Sequence, residues 1–127
     1  MIIFLFNVIA TPTPNFLMED VMGNVQKDEK LTYLFKGILT LGSVEECYDF
    51  FSDLCTPAEL QEMSRRMQAA KMLRDGYVYN EIAARTGLST ATISRVNRCL
   101  KYSSEGYLKV LGDIDKADKR RNLYDNV

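Results

Sequence analysis

The stretch Tyr79-Asn-Glu-Ile-Ala-Ala-Arg-Thr-Gly-Leu-Ser-Thr-Ala-Thr-Ile-Ser-Arg-Val-Asn-Arg98 decides how this chain is read. Ile82 and Ala83 fall on one face of a short helical run, and the small Ala83 leaves room for a second helix to approach. Gly87 follows where the chain must turn sharply, with the positive φ that glycine accepts without a Cβ clash. Leu88 is placed to plug the corner, and Ser89 to cap the helix beyond it. On that helix Ile93 and Val96 are spaced to pack back on Ile82 and Ala83. The pattern predicts a helix-turn-helix whose second helix lies in the major groove of double-stranded DNA, its N-terminal residues against base edges. Thr90, Ala91 and Thr92 are the expected base contacts, small enough for close approach. Arg98 and Lys101 reach further, to guanine edges or phosphate, while Asn80 and Arg85 on the supporting helix grip the backbone. Ser89, Ser94 and Arg95 complete the candidate DNA-binding set.

The charge distribution agrees with this. The chain has 127 residues and a formal charge of −1, but that total hides three regions. Residues 1–62 carry 3 basic and 10 acidic side chains, residues 63–101 carry 8 basic and 2 acidic, and residues 102–127 carry 5 of each. A block of +6 in an otherwise acidic chain is the footprint of a polyanion partner, because each Lys or Arg near a phosphate releases counterions on binding.

Composition excludes most chemistry. Without any His the chain cannot build a Ser-His-Asp or Cys-His nucleophile pair. Cys47, Cys55 and Cys99 stand at unrelated spacings that make no zinc site. No metal, cofactor or enzymatic activity is expected, and three scattered cysteines fit the reducing cytoplasm. The apolar opening Met1–Ala10 lacks a basic n-region and is too short to span a bilayer, so it reads as neither export signal nor membrane anchor. Residues 1–27 are expected to form an N-terminal arm, with Met18 and Met22 offering later start sites; residues 28–111 form the domain, and residues 112–127 a charged, mobile tail.

Within the domain every segment reads as helix, and the fold class is all-α. Leu31, Leu34, Phe35, Ile38, Leu39 and Leu41 recur at helical intervals and end at Gly42. Ser43-Val-Glu-Glu46 predicts a capping box for a second helix carrying Val44, Cys47, Tyr48, Phe50, Phe51 and Leu54. Thr56-Pro57-Ala58-Glu59 predicts a third start, with Leu60, Met63, Met67, Ala70 and Leu73 on one stripe and a stop near Gly76. A last helix is expected over Glu105 to Leu111. The first two helices hold more aromatic and aliphatic groups than a small monomer readily hides, which implies a homodimer with a shared core.

From Leu54 to Leu111 the sequence resembles the Trp repressor superfamily, specifically its YerC/YecD-type, Trp-repressor-related branch. The resemblance rests on Thr56-Pro57-Ala58-Glu59, Arg66, Leu73-Arg74-Asp75-Gly76, Ala91-Thr92-Ile93-Ser94-Arg95 and Leu100-Lys101. It implies an intertwined all-helical homodimer that presents two reading heads to a two-fold symmetric operator, acting as a transcriptional repressor. It also implies a small-molecule pocket at Thr56, Arg66, Arg95 and Cys99, since tryptophan-responsive members hold an indole ring between two arginines. Where those members have a glycine after the second arginine this chain has Val96, and a pocket serine is Cys99. Tryptophan is therefore not expected as corepressor, and any effector is unidentified. The competing class is a protein-interaction module, in which the acidic helices and Tyr102, Tyr107 and Tyr124 hold another factor and DNA contact is secondary.

Overall fold

The two capping signals at Ser43 and Thr56 set where the second and third helices begin. In the computed structural model, which describes residues 25–103 and 105–125, six helices follow one another: α1 (Glu29–Ile38), α2 (Val44–Leu54), α3 (Pro57–Arg74), α4 (Tyr79–Thr86), α5 (Thr90–Tyr102) and α6 (Gly106–Asp125). The described residues contain no strand, so the chain is all-α as expected. The readings made of Met1–Ala10 and of Met18 and Met22 lie outside the described residues.

The first three starts have local causes. Asp28 Oδ1 accepts the Leu31 N–H at 2.8 Å to open α1. Ser43 Oγ accepts the Glu46 N–H at 3.1 Å, but the Glu46 carboxylate reaches one residue further back than a capping box requires, to the Gly42 N–H at 2.6 Å. Both halves of the box form at α3. Thr56 Oγ1 accepts the Glu59 N–H at 3.3 Å, the Glu59 carboxylate accepts the Thr56 N–H at 2.8 Å, and Pro57 occupies the first turn. The backbone hydrogen bond from Thr56 is the main reason that the Glu59 carboxyl titrates below its ordinary value. That half of the cap is therefore intact at neutral pH and is lost as the pH falls through the lowered pKa. Replacing Thr56 by Ala is expected to cost about 0.5–2 kcal/mol in urea unfolding at pH 7, the usual range for a lost cap; an unchanged midpoint would show that the cap is redundant.

The core consists of two clusters that meet on α3. Ala69 and Met72 join Ile82, Leu88 and Ile93, with Leu73, Tyr79 and Ala83 packed against them. Ala70 joins Val96 and Leu111, with Met67, Leu100 and Tyr107 alongside. Two expectations change here. Val96 does not return to Ile82 and Ala83, because positions 93 and 96 point in different directions on α5; Ile93 meets α4, whereas Val96 faces α3 and α6. The stripe expected on α3 is also widened: Ala70 is buried and Leu60, Met67 and Leu73 are half-buried as expected, Met63 is exposed, and Ala69 and Met72 beside the stripe are buried because α3 is approached from two sides.

The segment from Gly112 onward, expected as a mobile tail, continues α6 to Asp125. A helical glycine costs about 1 kcal/mol relative to Ala, too little to end a helix that is otherwise supported. Support comes from Lys109 and Lys116, which pair with Asp113 at 2.6 and 3.8 Å, and from Asp115, which meets Arg74 of α3 at 3.0 Å.

Helices α1 and α2 contrast with the rest. Neither contributes a buried residue. Tyr33 is 81% and Tyr48 73% exposed, and Phe35, Leu39 and Val44 are exposed with them.

Candidate nucleic-acid interface

The α4–α5 corner is built by Gly87, Leu88 and Ser89. Gly87 has φ 72° and caps α4, its N–H donating to the Ala83 carbonyl at 2.9 Å. A Cβ at this position would meet no atom within 4 Å, so the requirement for glycine is conformational and not one of space. Leu88 is buried in the first cluster, as its corner position predicts. Thr86, which the sequence reading passed over, completes the corner: its hydroxyl donates to the Ile82 carbonyl at 2.7 Å and accepts the Leu88 N–H at 3.2 Å. A buried amide in the turn is thereby satisfied.

Ser89 caps α5, with Oγ accepting the Thr92 N–H at 3.2 Å. The Thr92 hydroxyl lies 3.0 Å from the same Oγ and the residue is half-buried, so Thr92 belongs to the flank and the cap more than to the open face. Thr90, Ala91, Arg95, Arg98 and Lys101 are exposed and Ser94 is half-buried. At 3.6 residues per turn these six positions share one side of α5, opposite Ile93 and Val96. On α4, Asn80 is exposed at the first turn, and the Arg85 guanidinium stacks over the Tyr77 ring at 5.1 Å from its centroid. Asn97 Nδ2 donates to the Tyr79 hydroxyl at 3.0 Å and ties α5 to α4 across eighteen residues of sequence. Neither Tyr77 nor Tyr79 was singled out from the sequence, because only the folded corner brings them to their partners.

The basic block divides into two kinds of residue. On α3, Arg65 and Arg66 pair with Glu62 at 3.7 and 3.2 Å, Lys71 with Asp75 at 2.8 Å, and Arg74 with Asp75 and Asp115 at 3.4 and 3.0 Å. The hydrogen bond with Lys71 holds the Asp75 carboxyl below its ordinary range and raises Lys71 in turn. Among the described residues, Arg95, Arg98 and Lys101 of α5 form no ion pair with protein groups. These three cations share one face of α5.

The residues of the expected small-molecule pocket are only partly gathered. Tyr107 of α6 lies within electrostatic reach of Cys99, Arg66 and Arg95, and burial raises its hydroxyl above the ordinary tyrosine pKa. Arg66 is held by Glu62 through Nε and Nη2 at 3.3 and 3.2 Å. The Thr56 hydroxyl is committed to its cap. Val96 is buried in the core and faces Ala70 and Leu111. A groove of about 560 Å³ opens elsewhere, between α2 and α3, and none of Arg66, Arg95 and Cys99 lines it. No group of three or more metal-ligating side chains occurs among the described residues, and no helix there is long and apolar enough to cross a membrane.

Residues 29–115 match the family described as Trp repressor protein. Among curated proteins, the uncharacterized protein YerC of Bacillus subtilis strain 168 is 46% identical over 92 residues, covering 72% of this chain and 88% of YerC. Two crystal structures resemble the fold closely. A TrpR-like protein from Eubacterium eligens has 47% identity and a TM-score of 0.68 over 70% of this chain and 92% of its own. A candidate Trp repressor from Staphylococcus aureus has 47% identity and a TM-score of 0.67 over 70% of this chain and 89% of its own. The match spans both core clusters and the whole α4–α5 corner, and the chain is a member of the Trp repressor protein family, of the YerC type.

Proposed function

We propose that this protein is a sequence-specific DNA-binding transcriptional regulator, a repressor that binds a two-fold symmetric operator as a homodimer in the cytoplasm. The observation that carries the reading is the face of α5. A helix capped by Ser89 presents small residues, Thr90 and Ala91, at its N-terminal end and three unpaired cations, Arg95, Arg98 and Lys101, along the same side. In a helix-turn-helix the first group approaches base edges and the second the phosphates. Asn80 and Arg85 on α4 then contact the backbone, and the stacking of Arg85 on Tyr77 pre-orients its guanidinium.

The dimer is supported by α1 and α2, which contain no buried residue within one chain and leave Tyr33, Phe35, Leu39, Val44 and Tyr48 exposed for a second copy to cover. Tryptophan is no corepressor in this reading. What supports this is that Val96 is buried in the core against Ala70 and Leu111, and that Arg66 is held by Glu62 at 3.2 Å.

Selection of bound sequences from random duplex DNA, with the purified protein and with or without tryptophan, tests the proposal. The expected product is a palindromic motif with half-sites about 10 base pairs apart, the same in both arms. Failure to enrich any sequence would overturn the regulator. Enrichment only in the presence of tryptophan would make Arg66 and Arg95 ligand clamps.

A further inference from the structure

The competing reading of the sequence gathers Tyr102, Tyr107 and Tyr124 into one protein-binding surface, and the fold separates them. Tyr107 packs against the cluster of Ala70, Val96 and Leu111, and Tyr124 lies near the far end of α6. Tyr102 belongs to neither place. It is the last residue of α5, 65% exposed, and its hydroxyl has no hydrogen-bond partner among the described residues. Ala91, Arg95, Arg98 and Tyr102 follow one another in steps of four, three and four, so they form one line along the open side of the helix, away from Ile93 and Val96. The phenol therefore ends the same row that begins with a small residue and continues with two cations. No acidic residue occurs on α5 to complement that row. The basic block drawn from charge alone ends at Lys101, which is why Tyr102 falls outside the candidate DNA-binding set.

We propose that Tyr102 donates its hydroxyl to the DNA phosphate that Arg98 neutralises. The inference rests on the DNA-binding reading given above and adds an uncharged contact to it. Position excludes a base. Tyr102 stands eleven residues beyond Ala91, about 16.5 Å along the axis, so a helix whose N-terminal end meets base edges brings its last residue to the backbone at the rim of the groove. Spacing selects the partner. Residues four apart on a helix are neighbours, with Cβ atoms about 5–6 Å from each other, so the Arg98 guanidinium and the Tyr102 phenol can converge on the oxygens of one phosphate. Lys101 is turned about 100° from Tyr102 around the helix and serves a different phosphate. The chemistry is matched as well. Phosphate oxygens only accept, the phenol supplies a proton, and a hydrogen bond to an ionised acceptor is stronger than one between neutral groups. A neutral donor releases no counterion, so this contact adds affinity without adding to the salt dependence.

The test compares the full chain with Tyr102→Phe, which keeps the ring and removes only the donor. Fluorescence anisotropy on the selected operator and on a scrambled duplex is read across a salt series, with circular dichroism and sedimentation equilibrium confirming parental helicity and assembly. The variant should bind both duplexes about tenfold more weakly, the low end for a hydrogen bond to a charged group, with the slope of log K against log salt unchanged. Arg98→Ala should instead lower that slope by about 0.9. In the Arg98→Ala background Tyr102→Phe should cost less than about threefold, because two side chains on one phosphate are coupled. Parental affinity of Tyr102→Phe on both duplexes would overturn the proposal, and so would a full tenfold loss in the Arg98→Ala background, which would put the two residues on separate phosphates. A loss confined to the operator would make Tyr102 a base reader, and a loss that appears only with dissociation of the assembly would make it a protein contact; either overturns it. A parent that binds neither duplex would remove the DNA-binding reading together with this contact, whereas a binding parent matched by Tyr102→Phe removes the contact alone.

Discussion

Replacing Ile93 by Ala is expected to destabilise the protein by about 2–5 kcal/mol, the range for a large aliphatic removed from a packed core. Ile93 is fully buried, as is Ile82, and it meets Ala69, Met72 and Leu88 in the same cluster. Ala69 is already minimal and Leu88 is held by the turn, so the site has little freedom to collapse on the vacated space. Against a total stability of about 5–15 kcal/mol the loss is large, and the melting temperature should fall by roughly 10 °C or more. The loss belongs to the fold of one protomer and should have the same size at every protein concentration. Tyr48→Ala on α2 should behave differently in the proposed homodimer: Tyr48 is 73% exposed within the chain, so its effect should grow as dilution shifts the proposed dimer equilibrium. Chemical denaturation of both variants at two concentrations separates the cases. A loss below about 1 kcal/mol for Ile93→Ala would show that the corner between α4 and α5 is not locked by its aliphatic core.

What the sequence disclosed about the fold was what depends on neighbours in the chain. Thr56-Pro57-Ala58-Glu59 is a capping box because its partners are three residues apart, and the helix start follows wherever the segment is placed. Gly87 is legible for the same reason, since its positive φ is a property of one residue. The place of Val96 was not legible. Periodicity says that a residue faces inward but not which helix it meets, and α3 receives neighbours on two sides. The end of α6 was misread because Gly112 and a run of charges read as a stop, whereas the stabilising pair between Arg74 and Asp115 spans 41 positions and exists only after folding.

The candidate site divides in the same way. The exposed face of α5 follows from counting residues around a helix. The local neutralisation of the basic residues on α3 does not, because it depends on the reach of Glu62, Asp75 and Asp115. The +6 block therefore mixes α3 residues that are paired within the chain with the cations of the α5 face and Arg85, which form no ion pair among the described residues. Thr92, expected among the base contacts, is half-buried and its hydroxyl lies 3.0 Å from Ser89 Oγ, a contact that a linear reading had no reason to prefer.

Ala91 and Lys101 share the open side of α5 but stand ten residues apart, about 15 Å along the axis, so a helix that enters the groove by its N-terminus puts only the first near base edges. Replacing Ala91 by Leu should reduce the preference for the selected operator over random DNA by about 1–3 kcal/mol, the worth of one base contact, with the salt dependence unchanged. Replacing Lys101 by Ala should instead weaken every duplex alike and lower the slope of log K against log salt by about 0.9, the value for one phosphate. Fluorescence anisotropy on operator and scrambled duplexes across a salt series reads both quantities at once. The control is Thr92→Val: it keeps the shape and removes the hydroxyl that meets Ser89, so it should cost some helix stability while leaving operator preference near that of the parent. If Lys101→Ala relaxed sequence preference with its slope intact, and Ala91→Leu did not, the reading helix would have to enter by its C-terminal end. The small residues behind the Ser89 cap would then serve only to start the helix.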